Sequence, residues 1–161
     1  MSTSVSKFCA ICKIDTKQRI IKGPVLRPET RDRQGTIISA EVIEESAHDF
    51  AVRLNAAKNG TGPGFMHEEF DRDIEIVETW ITDTELHYPL DMRSAVKFCK
   101  DVPGLVQKSA SSDDEEIVMS AGTWMMAMQV NDDDIWAGVL NGTYKGFSIG
   151  GKANVVYEEG A

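Results

Sequence analysis

An α+β domain built on an antiparallel or mixed β-sheet or barrel is the fold class this sequence predicts. Three observations carry the expectation. Short runs rich in β-branched and aromatic residues recur along the chain, bounded by turn-forming residues. Two stretches, about residues 40–55 and 131–142, carry helical spacing together with capping residues. The tally, about seven strands against two or three helices, puts strands in the majority. The chain's 161 residues are enough for one domain with a real core.

Residues 7–14 and 18–26 are alternating or β-branched runs separated by Asp15-Thr16-Lys17, which reads as a hairpin. Pro24 and Pro28 favour an edge or a strand end. After the polar connection "ETRDRQGTIIS", Ser39 is placed to cap a helix. Ile43, Ala47, Phe50 and Leu54 follow at helical spacing, and Glu41, Glu44 and Glu45 occupy the first turns, where the helix dipole favours acids. "AAKNGTGPG" is turn chemistry. A short strand over 65–69 and a second over 73–81 are expected next, the latter with Ile74, Ile76 and Trp80 on one face. Residues 84–110 read as irregular or as holding a short helix around 92–100, and 109–116 as a polar, charged loop. "GTWMMAMQV" is an apolar strand whose methionines suit core packing. Asn131 or Asp132 caps the next helix, and Gly142 stops it. The C-terminal stretch reads as strand, glycine break, strand.

Composition narrows the function classes. Apolar residues make up 42% and charged residues 27%, the balance of a globular protein. No apolar run approaches the roughly 18 residues of a membrane span. The N-terminal "MSTSVSKFCAICK" lacks the apolar core of a secretion signal, so a cytoplasmic location is expected. A net charge of −9 argues against nucleic acid as a direct partner. Three cysteines, Cys9, Cys12 and Cys99, are an odd count that argues against a disulfide framework. Cys9-Ala-Ile-Cys12 lacks the second pair a structural zinc site needs, and Phe8, Ala10, Cys12 and Ile14 alternate as half-buried strand residues. Asp132-Asp133-Asp134 lacks EF-hand spacing and fits a helix start instead of a calcium site. No phosphate-binding or dinucleotide-binding glycine motif is present, so neither cofactor nor metal is expected.

One stretch invites chemistry. "GTYKGFSIGG" sets Ser148 between Phe147 and Ile149 and follows it with Gly150 and Gly151. A hydroxyl nucleophile needs a base, a group that orients the base, and donors for the oxyanion. Ser148 is a candidate nucleophile, and the bare backbone at Gly150 and Gly151 is a candidate oxyanion donor. Of the three histidines, His48 falls in the expected helix and reads as a surface residue, while His87 precedes Pro89 and reads as a solvated loop residue. His67 lies mid-strand beside Phe65 and Met66, with Glu68 and Glu69 to raise its basicity. Period-2 spacing puts Glu78 on the inward face with Ile74, Ile76 and Trp80, where a carboxylate needs a partner. The opposite orientation, with Val77, Thr79 and Ile81 inward and Glu78 in solvent, is equally open, and Asp83 and Glu85 compete as the orienting acid.

Several blocks together, "RDRQGTIISAEVIEESAHDF", "MHEEF", "IVETWI" and above all "GTWMMAMQVNDDDIWAGVLNGTYKGFSIGG", resemble the phage serine proteases of the XkdF-like type. These are capsid-maturation (prohead) proteases grouped with the herpesvirus assemblin fold. The resemblance is strongest over roughly residues 20–155, so residues 1–161 are expected to form a single protease-like domain. It implies an antiparallel β-barrel flanked by a few helices. It also implies a serine endopeptidase that cleaves scaffolding protein, or the scaffold segment of the major capsid protein, inside the immature capsid in the host cytoplasm. Motif for motif, Ser148 in G-F-S-I-G-G would be the nucleophile and His67 in M-H-E the base. Herpesvirus relatives complete the triad with a later histidine; here none follows His87, which leaves an acid such as Glu78, or a dyad. The expected partners are phage scaffolding and capsid proteins, with a homodimer or an assembly-dependent oligomer. A non-catalytic assembly protein on the same fold, docking scaffold or capsid segments, is the alternative.

Overall fold

The computed structural model describes residues 3–28, 37–58, 74–90, 98–102 and 104–153. In chain order the elements are β1 (Thr3–Ala10), β2 (Lys13–Asp15), β3 (Ile20–Leu26), α1 (Ala40–Lys58), β4 (Ile74–Ile81) and β5 (Leu86–Pro89), then a 3₁₀ turn (Phe98–Asp101), β6 (Val106–Lys108), β7 (Glu115–Met119), β8 (Trp124–Val130), α2 (Asp133–Leu140) and β9 (Gly146–Ala153). The strands form three sheets, ordered β1-β9, β2-β3-β8-β4 and β5-β7-β6. Every described pairing is antiparallel. Helices and antiparallel sheets therefore combine as expected, but no closed barrel forms among the described residues.

The strand β8 is the centre of the core. Met125, Met126, Ala127, Met128 and Val130 are fully buried, with β3 on one side and β4 on the other. The helix α1 covers part of this sheet through Ile43, Ala47 and Phe50, the residues its periodicity singled out. The Phe50 ring lies 5.5 Å from that of Trp124, whose indole N–H donates to Thr79 Oγ1 at 2.9 Å. Ser39 caps α1 as expected: its hydroxyl accepts from Val42 N. Asp132 caps α2 by accepting from Ile135 N at 2.8 Å, and Gly142, at φ +86°, follows the helix end.

The first hairpin is divided. Only β2 pairs with β3, across a turn in which Asp15 Oδ1 accepts from Lys17 N and Gln18 N. The preceding segment pairs with the far end of the chain: Ile11 N donates to Lys145 O, and one residue later Cys12 N donates to Lys22 O. Where the chain changes partner it presses on β3, and a Cβ on Gly23 would lie 2.0 Å from Ala10 O. The expected alternation at the N-terminal strand is absent, because Cys9, Ala10, Ile11 and Cys12 are all buried. This segment is covered on both faces, so period 2 has nothing to distinguish.

Three further expectations change. The region 84–110 contributes β5 and β6, and the charged loop ends in a real strand, β7, whose Ile117 and Met119 are fully buried. The C-terminal strand does not break at its glycines, since Gly150 and Gly151 continue the β1 ladder opposite Ser6 and Val5. The strand expected over 65–69 lies outside the described residues.

Candidate active site

The strand β9 positions Ser148. The chain leaves α2, Tyr144 N donates to Gly138 O, and Gly146 starts an unbroken ladder with β1 in which Ser148 stands opposite Phe8. Phe147, next to it, is buried, and its ring reaches Gly23 of β3. An apolar anchor immediately before the serine thus fixes β9 against the four-stranded sheet. Gly150 and Gly151 follow in the same ladder. A substrate backbone could approach the strand there without meeting side chains.

The expected base, His67, lies outside the described residues. The expected acid, Glu78, is described, and it does not share the face of Ile74 and Ile76. Ile76 pairs with Met128 but Glu78 pairs with Ala127, so Val77 is the extra residue of a β-bulge. The bulge reverses the alternation and moves Glu78 and Trp80 to the opposite face of the sheet. Lys22 and Glu78 both pair with Ala127, one from each side. The small alanine lets them meet across β8, with Lys22 Nζ 3.4 Å from Glu78 Oε1 and their side chains 25% and 46% exposed. Lys22 Nζ also lies 5.7 Å from the Trp80 ring centroid. No pairing joins β4 to β9 among the described residues. Sequence reasoning passed over Lys22, although a lysine inside the apolar run "IIKGPVL" was a visible sign of a charge partner on a neighbouring strand.

His48 is on the exposed side of α1, as expected. His87 is exposed too, but on β5, where its Nδ1 lies 2.8 Å from Glu116 Oε1 and its Nε2 2.7 Å from Glu85 Oε1. The Glu116 hydrogen bond, then that of Glu85, raise its pKa above the ordinary imidazole value. Because the carboxylates address different ring nitrogens, they clamp the ring and cannot share one ion with it. No group of three or more His, Cys, Asp or Glu side chains among the described residues could hold a metal.

The cysteines cluster in the interior. Cys99 Sγ donates to Ile11 O at 3.0 Å and lies 3.6 Å from Cys12 Sγ. The hydrogen bond with Cys99, reinforced by burial, holds the Cys12 thiol well above its ordinary pKa. A thiol kept protonated and enclosed is a poor nucleophile.

A family model described as "Putative phage serine protease XkdF" matches residues 7–157. A curated relative, the phage-like element PBSX protein XkdF of Bacillus subtilis (strain 168), is 24% identical over 147 residues, which cover 89% of this chain. The chain spans 40% of that protein's length. No solved structure matches significantly.

Proposed function

The chain belongs to the family "Putative phage serine protease XkdF", and on that premise we propose that it is a serine endopeptidase acting in phage capsid maturation. Its substrate is the scaffolding protein, or the scaffold segment of the major capsid protein, within the immature capsid. The observation that carries the reading is the placement of Ser148: the family match spans it, and the buried Phe147 anchors its strand to the core.

In the proposed mechanism, Ser148 Oγ attacks the scissile carbonyl as His67 takes its proton. The backbone N–H at Gly150 or Gly151, whichever points away from β1, holds the oxyanion. His67 then protonates the leaving amine, and water, deprotonated by the same histidine, hydrolyses the acyl-enzyme. Glu78 is the proposed orienting carboxylate. Its ion pair with Lys22 engages Oε1 and leaves its second oxygen for the imidazole.

Co-expression with the capsid and scaffolding proteins of the same phage, followed by intact mass, tests this. Fragments are expected with the parent chain and should fall by about 10³-fold or more with Ser148→Ala. His67→Ala should behave alike, and Glu78→Gln should lose less. Fragments that persist unchanged in Ser148→Ala would assign cleavage to another protein. Uncleaved products in every sample would leave the chain as a docking component of assembly.

A further inference from the structure

A groove of about 450 Å³ runs between α1 and the end of β4, and none of its described lining residues belongs to β9. One flank is the helical stripe Glu44, Ala47, His48 and Ala51, spaced so that all four share a face of α1. The two alanines give the groove its depth. Ile81, on the same face of the sheet as Trp124, lines the other flank, and Asp83 lies just beyond the end of β4. Glu44 and Asp83 are exposed, and neither carboxylate has an ion-pair partner among the described residues. Lys22, the cation beside the end of β4, is paired with Glu78.

We propose that this groove receives a lysine or arginine side chain from an extended peptide segment of a partner protein. The chemistry selects that occupant. Ile81 and the alanines offer an apolar wall for the methylene stem, and the two carboxylates offer acceptors for the cationic head. The same carboxylates repel phosphate, and the net charge of −9 favours approach of a basic segment from a distance. No described lining residue belongs to the strand that carries Ser148, and binding at the groove is tested without cleavage.

Fluorescence anisotropy with a labelled peptide of alternating arginine and alanine measures the binding. The parent protein should bind it and should not bind the glutamate-alanine counterpart. Glu44→Gln with Asp83→Asn should raise Kd about tenfold. Asp113→Asn with Asp114→Asn makes the same charge change in the exposed β6–β7 loop and should alter Kd less than about twofold. Ala51→Phe fills the groove without changing charge and should weaken binding about as much as the first pair. Circular dichroism confirms the fold of each variant, and Glu44→Gln alone, at an exposed helix position, replaces the double variant if that one unfolds. Absence of binding by the parent protein, equal weakening by the two charge pairs, or unchanged binding to Ala51→Phe would each overturn the proposal.

Discussion

With Glu116 2.8 Å from one nitrogen of His87 and Glu85 2.7 Å from the other, both nitrogens are best satisfied as donors. Only the imidazolium has two N–H groups, so the clamp favours the protonated ring. The folded pKa is raised above the ordinary value near 6.5, chiefly by Glu116. Its stabilisation is therefore fully present below the unfolded pKa and is lost as pH rises through the folded one. Comparing His87→Gln with the parent by urea denaturation, the stability gap should be wider at about pH 5.5 than at about pH 9. A gap of the same size at both values would remove the clamp from the account. Gly23 is a second residue with one role. A methyl group there would overlap the Ala10 carbonyl, a backbone atom that no rotamer change can move aside. Gly23→Ala should cost about 3 kcal/mol, the upper end for overpacking. A loss below about 0.5 kcal/mol would mean that β1 yields freely.

At the scale of elements, legibility followed the strength of local signals. Ser39 and Asp132 announced their helices because capping is a contact within a few residues of sequence. The strand β8 was legible because nothing polar interrupts Trp124–Ala127. The three-residue β6 and four-residue β5 were missed, since pairing with β7 makes them strands and their own composition does not. The strand carrying Ser148 was legible, and so was part of β1, but their pairing across the two ends of the chain was not. The bulge at Val77 was hidden for a related reason: Ile74, Ile76, Glu78 and Trp80 alternate without a flaw in sequence, and only the register against β8 reveals the extra residue. The element this creates is held unevenly. The Lys22–Glu78 pair is half-exposed, so Lys22→Met should shift stability by less than about 1 kcal/mol. The end of β4 is closed more firmly: buried Thr82 Oγ1 accepts from Thr123 N and donates to Ser120 O. Thr82→Val keeps the shape and leaves buried Thr123 N unpaired, while Ser120 O keeps the bond from the Thr123 hydroxyl. It should cost about 1–3 kcal/mol in the same denaturation series. A larger loss from Lys22→Met than from Thr82→Val would reverse this ranking.

For the whole molecule, the strand that carries Ser148 is not the one the core holds most tightly. The strand β8 has a neighbour on each side and five fully buried side chains, whereas β9 belongs to a two-stranded ribbon. Two-stranded ribbons are marginal alone, so β1 and β9 depend on their attachments to β3: the Phe147 ring at Gly23 and the bond from Cys12 N to Lys22 O. Opening of the ribbon therefore requires less than global unfolding. In native-state hydrogen exchange read by mass spectrometry, residues 124–130 should exchange only with global unfolding. Residues 146–153 should exchange at least about tenfold faster, and Gly23→Ala should widen that difference by loosening the ribbon first. Under the proposed chemistry the consequence is functional. A partner that clamps the ribbon would raise cleavage without touching Ser148 or His67, because it would increase the fraction of molecules in which the serine is held in place. Equal protection of β8 and β9 would show that the ribbon and the core open as one unit, and would leave no room for control of the site through its stability.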